Sequence, residues 1–222
     1  MEKNILIIAP HPDDEILGCG GVIAKYSSAG SRVYVLVVTR GTPKLYTAER
    51  IENVRQEALR AHSFLGVKET VFLNFPAPEL DIISLAQISR EIADVIKRFS
   101  ISDLYVPHRG DIHGDHRVVF NACLVAARPV GIYTVKSIYA YETVSETEWA
   151  PPFGDDAFIP VKFVDVSAFF DKKLEAMRCF ISQLKPFPNP RSLETLTALS
   201  KFRGSTVGFS HAEAFMIIRL VE

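Results

Sequence analysis

An open, mostly parallel α/β sheet sandwiched by helices, in a single domain, is the fold class this sequence predicts. Three observations carry that expectation. Residues 3–9 and 32–39 form two nearly continuous apolar runs, the second rich in valine, as expected of strands buried on both faces of a parallel sheet. Segments of helical and of strand character trade places from the start of the chain to about residue 142. The chain has 222 residues, 48% of them hydrophobic and 23% charged, which is ordinary usage for one globular domain. Residues 1–222 are therefore read as one unit that buries its core without disulfide staples.

The elements follow in order. The first strand, 3–9, leads into a helix over 15–29 with Ile16, Val22, Ile23 and Tyr26 at helical spacing and a stop at Gly30. With the strand at 32–39 this makes a strand–helix–strand unit, which should be right-handed. A helix over 48–65 stops at Gly66, and a short strand follows at 70–74. The next helix, 84–99, repeats apolar residues at Leu85, Ile88, Ile92, Val95 and Ile96. A strand at 103–106 is halted by Pro107, and a helix at 115–127 and a strand at 135–142 complete the regular part. Beyond it the pattern loosens. The sequence gives a strand over 158–166 with Pro160 near its start, and a helix over 167–183 with Ser167 as N-cap. The run Lys185-Pro-Phe-Pro-Asn-Pro breaks the chain before a helix at 193–202 and a last strand at 214–221.

Composition excludes several roles. Twenty-five Lys+Arg against 26 Asp+Glu leave a net charge of −1, which offers no basic footprint for nucleic acid. No apolar run approaches the roughly 18–20 residues of a membrane span. The first run is too short for a signal-peptide core, so a soluble cytoplasmic protein is expected. Cys19, Cys123 and Cys179 are odd in number and widely spaced, which suits neither a disulfide framework nor a thiolate metal site. Any metal must then be held by histidine and carboxylate.

Two clusters meet that requirement. Pro10-His11-Pro12-Asp13-Asp14-Glu15 lies where the first strand passes into the first helix. Open α/β sheets bind ligands at the carboxyl ends of their strands. Three carboxylates crowded there repel one another unless a cation joins them. The plain alternative is that Asp13 caps the helix and its acidic neighbours complement the dipole. The second cluster, Asp111-Ile-His113-Gly-Asp115-His116, occupies another strand–helix junction. Parallel topology lets the two meet. Together they offer His11, Asp14 and His116 as three protein ligands, the composition of a catalytic rather than a structural metal site. Asp13 is left as a general base, and His113 as an oxyanion donor or as the acid for a leaving amine. The parts are those of metal-assisted hydrolysis.

These residues resemble the N-acetylglucosaminyl-phosphatidylinositol de-N-acetylase family, the LmbE-like or PIG-L deacetylases. His11 to Glu15 with Leu17-Gly18-Cys19-Gly20-Gly21 is similar to its opening motif, and His113-Gly-Asp115-His116 to its second. Arg55-Gln-Glu57-Ala58 with Leu65-Gly66-Val67 resembles its middle helix, and Ala212-Glu213-Ala214-Phe215 its C-terminal signature. The resemblance implies a Rossmann-like α/β sandwich and a zinc-dependent hydrolase that removes acetyl from an N-acetylglucosamine-containing small molecule. By position it implies His11, Asp14 and His116 as ligands and Asp13 as base. It further implies His113 at the tetrahedral intermediate, Asp115 orienting an imidazole from behind, and Arg55 on the substrate. Iron(II), cobalt(II) or manganese(II) would suit the same ligands. A homo-oligomer, trimer or hexamer, is expected on the same ground. Two other readings stay open: an amidase acting on a thiol-glycoside conjugate, and a non-catalytic α/β module that keeps the metal site.

The remaining features read more plainly. Gly18-Cys19-Gly20-Gly21 lacks dinucleotide-binding spacing and falls within the first helix, so close helix packing is expected. Cys19 reads as a small packing residue and His62, alone on a helix, as solvated. His108 lies on the loop before the second cluster, either lining the pocket or serving as an ordinary loop residue. His211 stands where several relatives carry tyrosine; a structural role is preferred to a substrate contact. Loops at 40–46 and 149–156 are placed to wall a cleft.

Overall fold

The computed structural model describes residues 3–131 and 135–222. Its strands are β1 (Asn4–Ala9), β2 (Arg32–Gly41), β3 (Glu69–Ala77), β4 (Asp103–Pro107), β5 (Ser137–Tyr141), β6 (Lys162–Asp165) and β7 (Ala212–Leu220). Its helices are α1 (Asp14–Ser28), α2 (Ala48–Leu65), α3 (Leu85–Arg98), α4 (Gly114–Ala126), α5 (Phe170–Arg178) and α6 (Leu193–Ser205). The seven strands form one sheet in the order β3-β2-β1-β4-β5-β7-β6. From β3 across to β5 all neighbours are parallel, while β7 runs antiparallel to both β5 and β6. The mostly parallel α/β sheet expected from the sequence is thus present.

The alternation of side chains along β1 divides the interior in two. Ile5, Ile7 and Ala9 face a cluster that includes residues of α1, α2, α5 and α6. Leu6 and Ile8 face the opposite cluster, with Ile88, Ile92 and Val95 of α3 and Val119 and Phe120 of α4. The strand is buried on both faces because helices cover both, which is why its sequence is apolar throughout rather than alternating. Glycines at 18, 20 and 21 let α1 settle into the first cluster. An added Cβ would collide with the Tyr141 ring, the Lys173 stem and Val166 respectively.

Chain order reverses beside β1. From β1 the sheet grows outward through β2 and β3, then returns to β4 on the other side of β1. Strand ends part at such a switch point and leave a crevice. The loops that follow β1 and β4 both open there, and they carry the two acidic and histidine clusters.

Local caps explain most element ends. Thr47 accepts from Arg50 N at 3.2 Å to start α2, and Gly66 in the left-handed region (φ 79°) ends it. Ser192 accepts from Thr195 N at 3.1 Å to start α6. The expected helix over 167–183 is shorter at both ends. Ser167 donates through both N and Oγ to Asp165 Oδ1, so it closes a turn and leaves the cap position to Phe169. The expected strand over 158–166 narrows to Lys162–Asp165, since Pro160 has no N–H for the ladder. The strand expected at 70–74 is longer, because β3 continues past a register shift to pair Ala77 with Gly41.

Candidate active site

Buried carboxylates and imidazoles converge where β1 and β4 end. Asp14 opens α1, and its Oδ2 accepts from His11 N at 2.8 Å. The same oxygen lies 3.3 Å from His11 Nδ1 and 3.3 Å from His116 Nε2. Ligand atoms of His11, Asp14 and His116 all fall within 4.8 Å of one another. The far side of each ring is occupied. Asp115 Oδ2 is 3.0 Å from His11 Nε2, and Asp111 Oδ2 is 2.7 Å from His116 Nδ1. Asp115 is itself held by Leu80 N at 3.1 Å, and Asp111 by the Thr147 hydroxyl at 2.6 Å. A carboxylate can only accept, so His11 donates from Nε2 to Asp115 and His116 from Nδ1 to Asp111, and the Nδ1 and Nε2 that face Asp14 become lone pairs for a cation once they give up a proton.

The donor set fits a divalent cation. His116 Nε2 and Asp14 Oδ1 are buried and have no hydrogen-bond partner. An unpaired buried polar atom costs about 1–3 kcal/mol, and a cation at the convergence would satisfy both. Two imidazoles and a carboxylate, each gripped from behind, is the pattern of an open metal site. The electrostatics agree. Burial opposes charge on His11 and His116, but the surrounding carboxylates outweigh it and raise the rings to about 9 and about 10. Burial works against Asp14 too, yet the two imidazoles hold it well below the usual carboxylate range. Protons or a cation must balance these acids.

Asp13 and His113 flank the convergence and line a cleft of about 270 Å³ that also meets His11, Tyr46, Arg50, Glu146 and Arg191. Asp13 occupies the N-cap position of α1 without capping it. Its backbone is left-handed (φ 116°), and its side chain makes no cap hydrogen bond. A non-glycine residue pays about 1–3 kcal/mol for such a conformation, which aims the carboxylate into the cleft instead. Arg191 Nη1 stands 3.1 Å from Asp13 Oδ2, but not in hydrogen-bond alignment, so that oxygen has no donor. Burial raises Asp13 to about 7, against the pull of Arg191. His113 Nδ1 accepts from Asp115 N at 3.2 Å, which places the proton of the neutral ring on Nε2. Burial and the neighbouring His11 lower His113 to about 4.

Other residues singled out in the sequence lie elsewhere. Arg55 sits over the Phe72 ring, hydrogen-bonds Asn74 Oδ1, and is not among the cleft residues; Arg50, five positions earlier, is. His108 is buried with Nε2 on Asp156 O at 2.9 Å and its ring against Phe158. His211 stacks on Phe170 at 4.3 Å, away from the cleft. Cys19 is buried and free. His62 corrects the solvated reading: it is buried, with Nε2 2.8 Å from Glu15 Oε1. Arg191 and Asp111 were not assigned roles from the sequence. Asp111 carries a signal, an acid within the second cluster. Arg191 has none beyond its place after a proline-rich breaker.

Known proteins resemble this chain in sequence and in fold. The family described as PIG-L: GlcNAc-PI de-N-acetylase matches residues 6–127. The chain is 32% identical over 182 residues to a protein of Escherichia coli (strain K12) named uncharacterized deacetylase YaiS, covering 79% of this chain and 89% of that one. It is 26% identical over 233 residues to the diacetylchitobiose deacetylase of Thermococcus kodakarensis, covering 97% of this chain and 83% of the relative. The crystal structure of the conserved protein TT1542 from Thermus thermophilus superimposes with a TM-score of 0.79 at 26% identity, over 98% of this chain and 96% of that one. On the match to residues 6–127 and the identity to the E. coli protein, this chain belongs to the PIG-L, GlcNAc-PI de-N-acetylase, family.

Proposed function

We propose that this protein is a metal-dependent N-deacetylase that hydrolyses the acetamide of an N-acetylglucosamine-containing small molecule. One observation carries the reading: three ligand atoms of His11, Asp14 and His116 converge beside two further polar groups, Asp13 and His113, that share the same cleft. The names of both relatives support deacetylation, and that of the diacetylchitobiose deacetylase supports the substrate class. Zinc is the favoured ion, with iron(II) or cobalt(II) compatible with two imidazoles and a carboxylate. A bound divalent ion supplies a Lewis acid and makes water acidic enough to attack near neutral pH.

The chain's own residues do the rest. Asp13, its Oδ2 free of donors, takes a proton from the attacking water. The water oxygen bonds to the amide carbonyl carbon. His113, which lines the cleft and whose neutral ring carries its proton on Nε2, donates a hydrogen bond to the developing oxyanion. Asp13 returns its proton to the amide nitrogen, the C–N bond breaks, and acetic acid and the amine leave, the acid's proton passing to the amine. A ring held near 4 is a poor proton donor at neutral pH, so the oxyanion role suits His113 better than the acid role. Arg50 and Arg191 line the cleft and would meet the sugar or its substituent. Arg55 is proposed to contact the part of a conjugate that extends past the cleft. Assembly into trimers or hexamers belongs to the same proposal, and light scattering reads it directly.

The test is acetate release from free, phosphorylated and glycosidically linked N-acetylglucosamine, with and without chelator. Release that stops with chelator and returns with zinc is expected. No release by metal-replete protein from any of these would instead favour the non-catalytic module. Asp13→Ala should lower kcat about 10²–10⁴-fold while metal stays bound; near-normal turnover would remove Asp13 as base.

A further inference from the structure

We propose that His62 is a positioning residue for Asp13, acting through Glu15. The inference rests on the reading of Asp13 as general base. Asp13 must hold a left-handed backbone (φ 116°) to face the cleft. Its own N–H is part of what holds it, donating to Glu15 Oε2 at 3.1 Å. The other oxygen of Glu15 lies 2.8 Å from His62 Nε2, and His62 Nδ1 lies 2.9 Å from Thr70 Oγ1. Asp13, Glu15 and His62 are 1%, 0% and 2% exposed, so water offers no substitute for the Asp13–Glu15 and Glu15–His62 bonds.

The line of contacts runs from Thr70 on β3 through His62 on α2 and Glu15 on α1 to the residue that turns the chain into the site. None of the three supporting side chains supplies an atom to the ligand convergence or lines the cleft. A carboxylate accepts and does not donate, so Nε2 of His62 carries the proton and fixes the rotamer of Glu15. Without that donor, Glu15 loses its fixed orientation, the Asp13 N–H loses its acceptor, and the Asp13 backbone is free to relax from its left-handed conformation. The carboxylate then leaves its place beside the attacking water, while the ligand atoms keep their own supports from Asp111 and Asp115.

The experiment measures kcat, KM and bound metal for His62→Leu and His62→Gln, alone and with Asp13→Ala. His62→Leu is expected to lower kcat roughly 10–100-fold, with KM and metal content unchanged. His62→Gln, which keeps an N–H at the position, should recover most of the loss. In the Asp13→Ala background His62→Leu should add nothing further. Unchanged kcat in His62→Leu overturns the proposal, as does an equal loss in both backgrounds or a loss explained by missing metal. Should His62→Leu fail to fold, Thr70→Val frees only Nδ1; a severalfold fall in kcat is then expected, and an unchanged kcat overturns the proposal. If Asp13→Ala alone stays active, the base reading has failed instead, which is a different result from an active His62→Leu beside an inactive Asp13→Ala.

Discussion

Asp13 concentrates the chemistry of the site in one side chain. Burial lifts it to about 7, while the guanidinium of Arg191 pulls the other way. Only the ionised carboxylate accepts a proton, so activity should rise with pH as Asp13 deprotonates. Arg191→Gln removes the charge that favours ionisation. The acid limb of the kcat/KM profile should therefore move to higher pH, and a limb that stays in place would separate Arg191 from the base. His113, lowered to about 4, is neutral throughout that range and contributes no second limb there. The ligands titrate in the other direction. His11 and His116 are held at about 9 and about 10, so each carries a proton at neutral pH until a cation needs its lone pair. Metal binding should release protons and weaken as pH falls, which calorimetry in buffers of different ionisation enthalpy will show. Asp111→Asn should weaken metal binding about 10–100-fold by loosening the His116 ring, measured by competition with a chelator.

At the scale of elements, α1 is constrained at its start and along its length. It brings Asp14 to the site at one end and packs three glycines against neighbours along its length. Gly18→Ala would drive a methyl into the buried ring of Tyr141, whose hydroxyl is tied to Ile8 O at 2.8 Å. A loss of about 1–3 kcal/mol is expected, visible as a lower thermal midpoint. The same scale shows what the sequence made legible. β1 and β2 were readable as continuous apolar runs, and the helices between β1 and β5 because each is long enough for its period to repeat. The strand–helix junctions at 10–15 and 111–116 were readable because acids and histidines stand out against an apolar run. Arg191 was not, because it comes from a loop without periodicity and reaches Asp13 only through the folded chain. Nor was the burial of His62, whose partner Glu15 lies on a different helix. The strand over 158–166 and the helix over 167–183 were read too long, since Asp165 with Ser167 and the missing N–H of Pro160 act locally and override the wider pattern.

For the molecule as a whole, Glu213 fastens the end of the chain to its beginning. It accepts from Gly21 N at 2.9 Å and Val22 N at 2.7 Å in α1, and from Lys173 Nζ at 2.6 Å in α5. Lys173→Met would leave that carboxylate buried beside backbone donors alone. A cost of about 3–5 kcal/mol is expected, whereas a Lys173→Met, Glu213→Gln pair should recover part of it; chemical denaturation measures both. Cation binding adds to stability by mass action, so chelation should lower the melting temperature in a zinc-dependent way. The placement of β7 has a further consequence, for the order in which the chain assembles during synthesis. β6 pairs with β7 and not with β5, yet β7 leaves the ribosome after both. Until it arrives, β5 has an open edge and β6 has no ladder to join. The nascent protein must wait with both half-partnered, and a chain cut short before residue 212 would expose the edge of β5 to any other strand in reach.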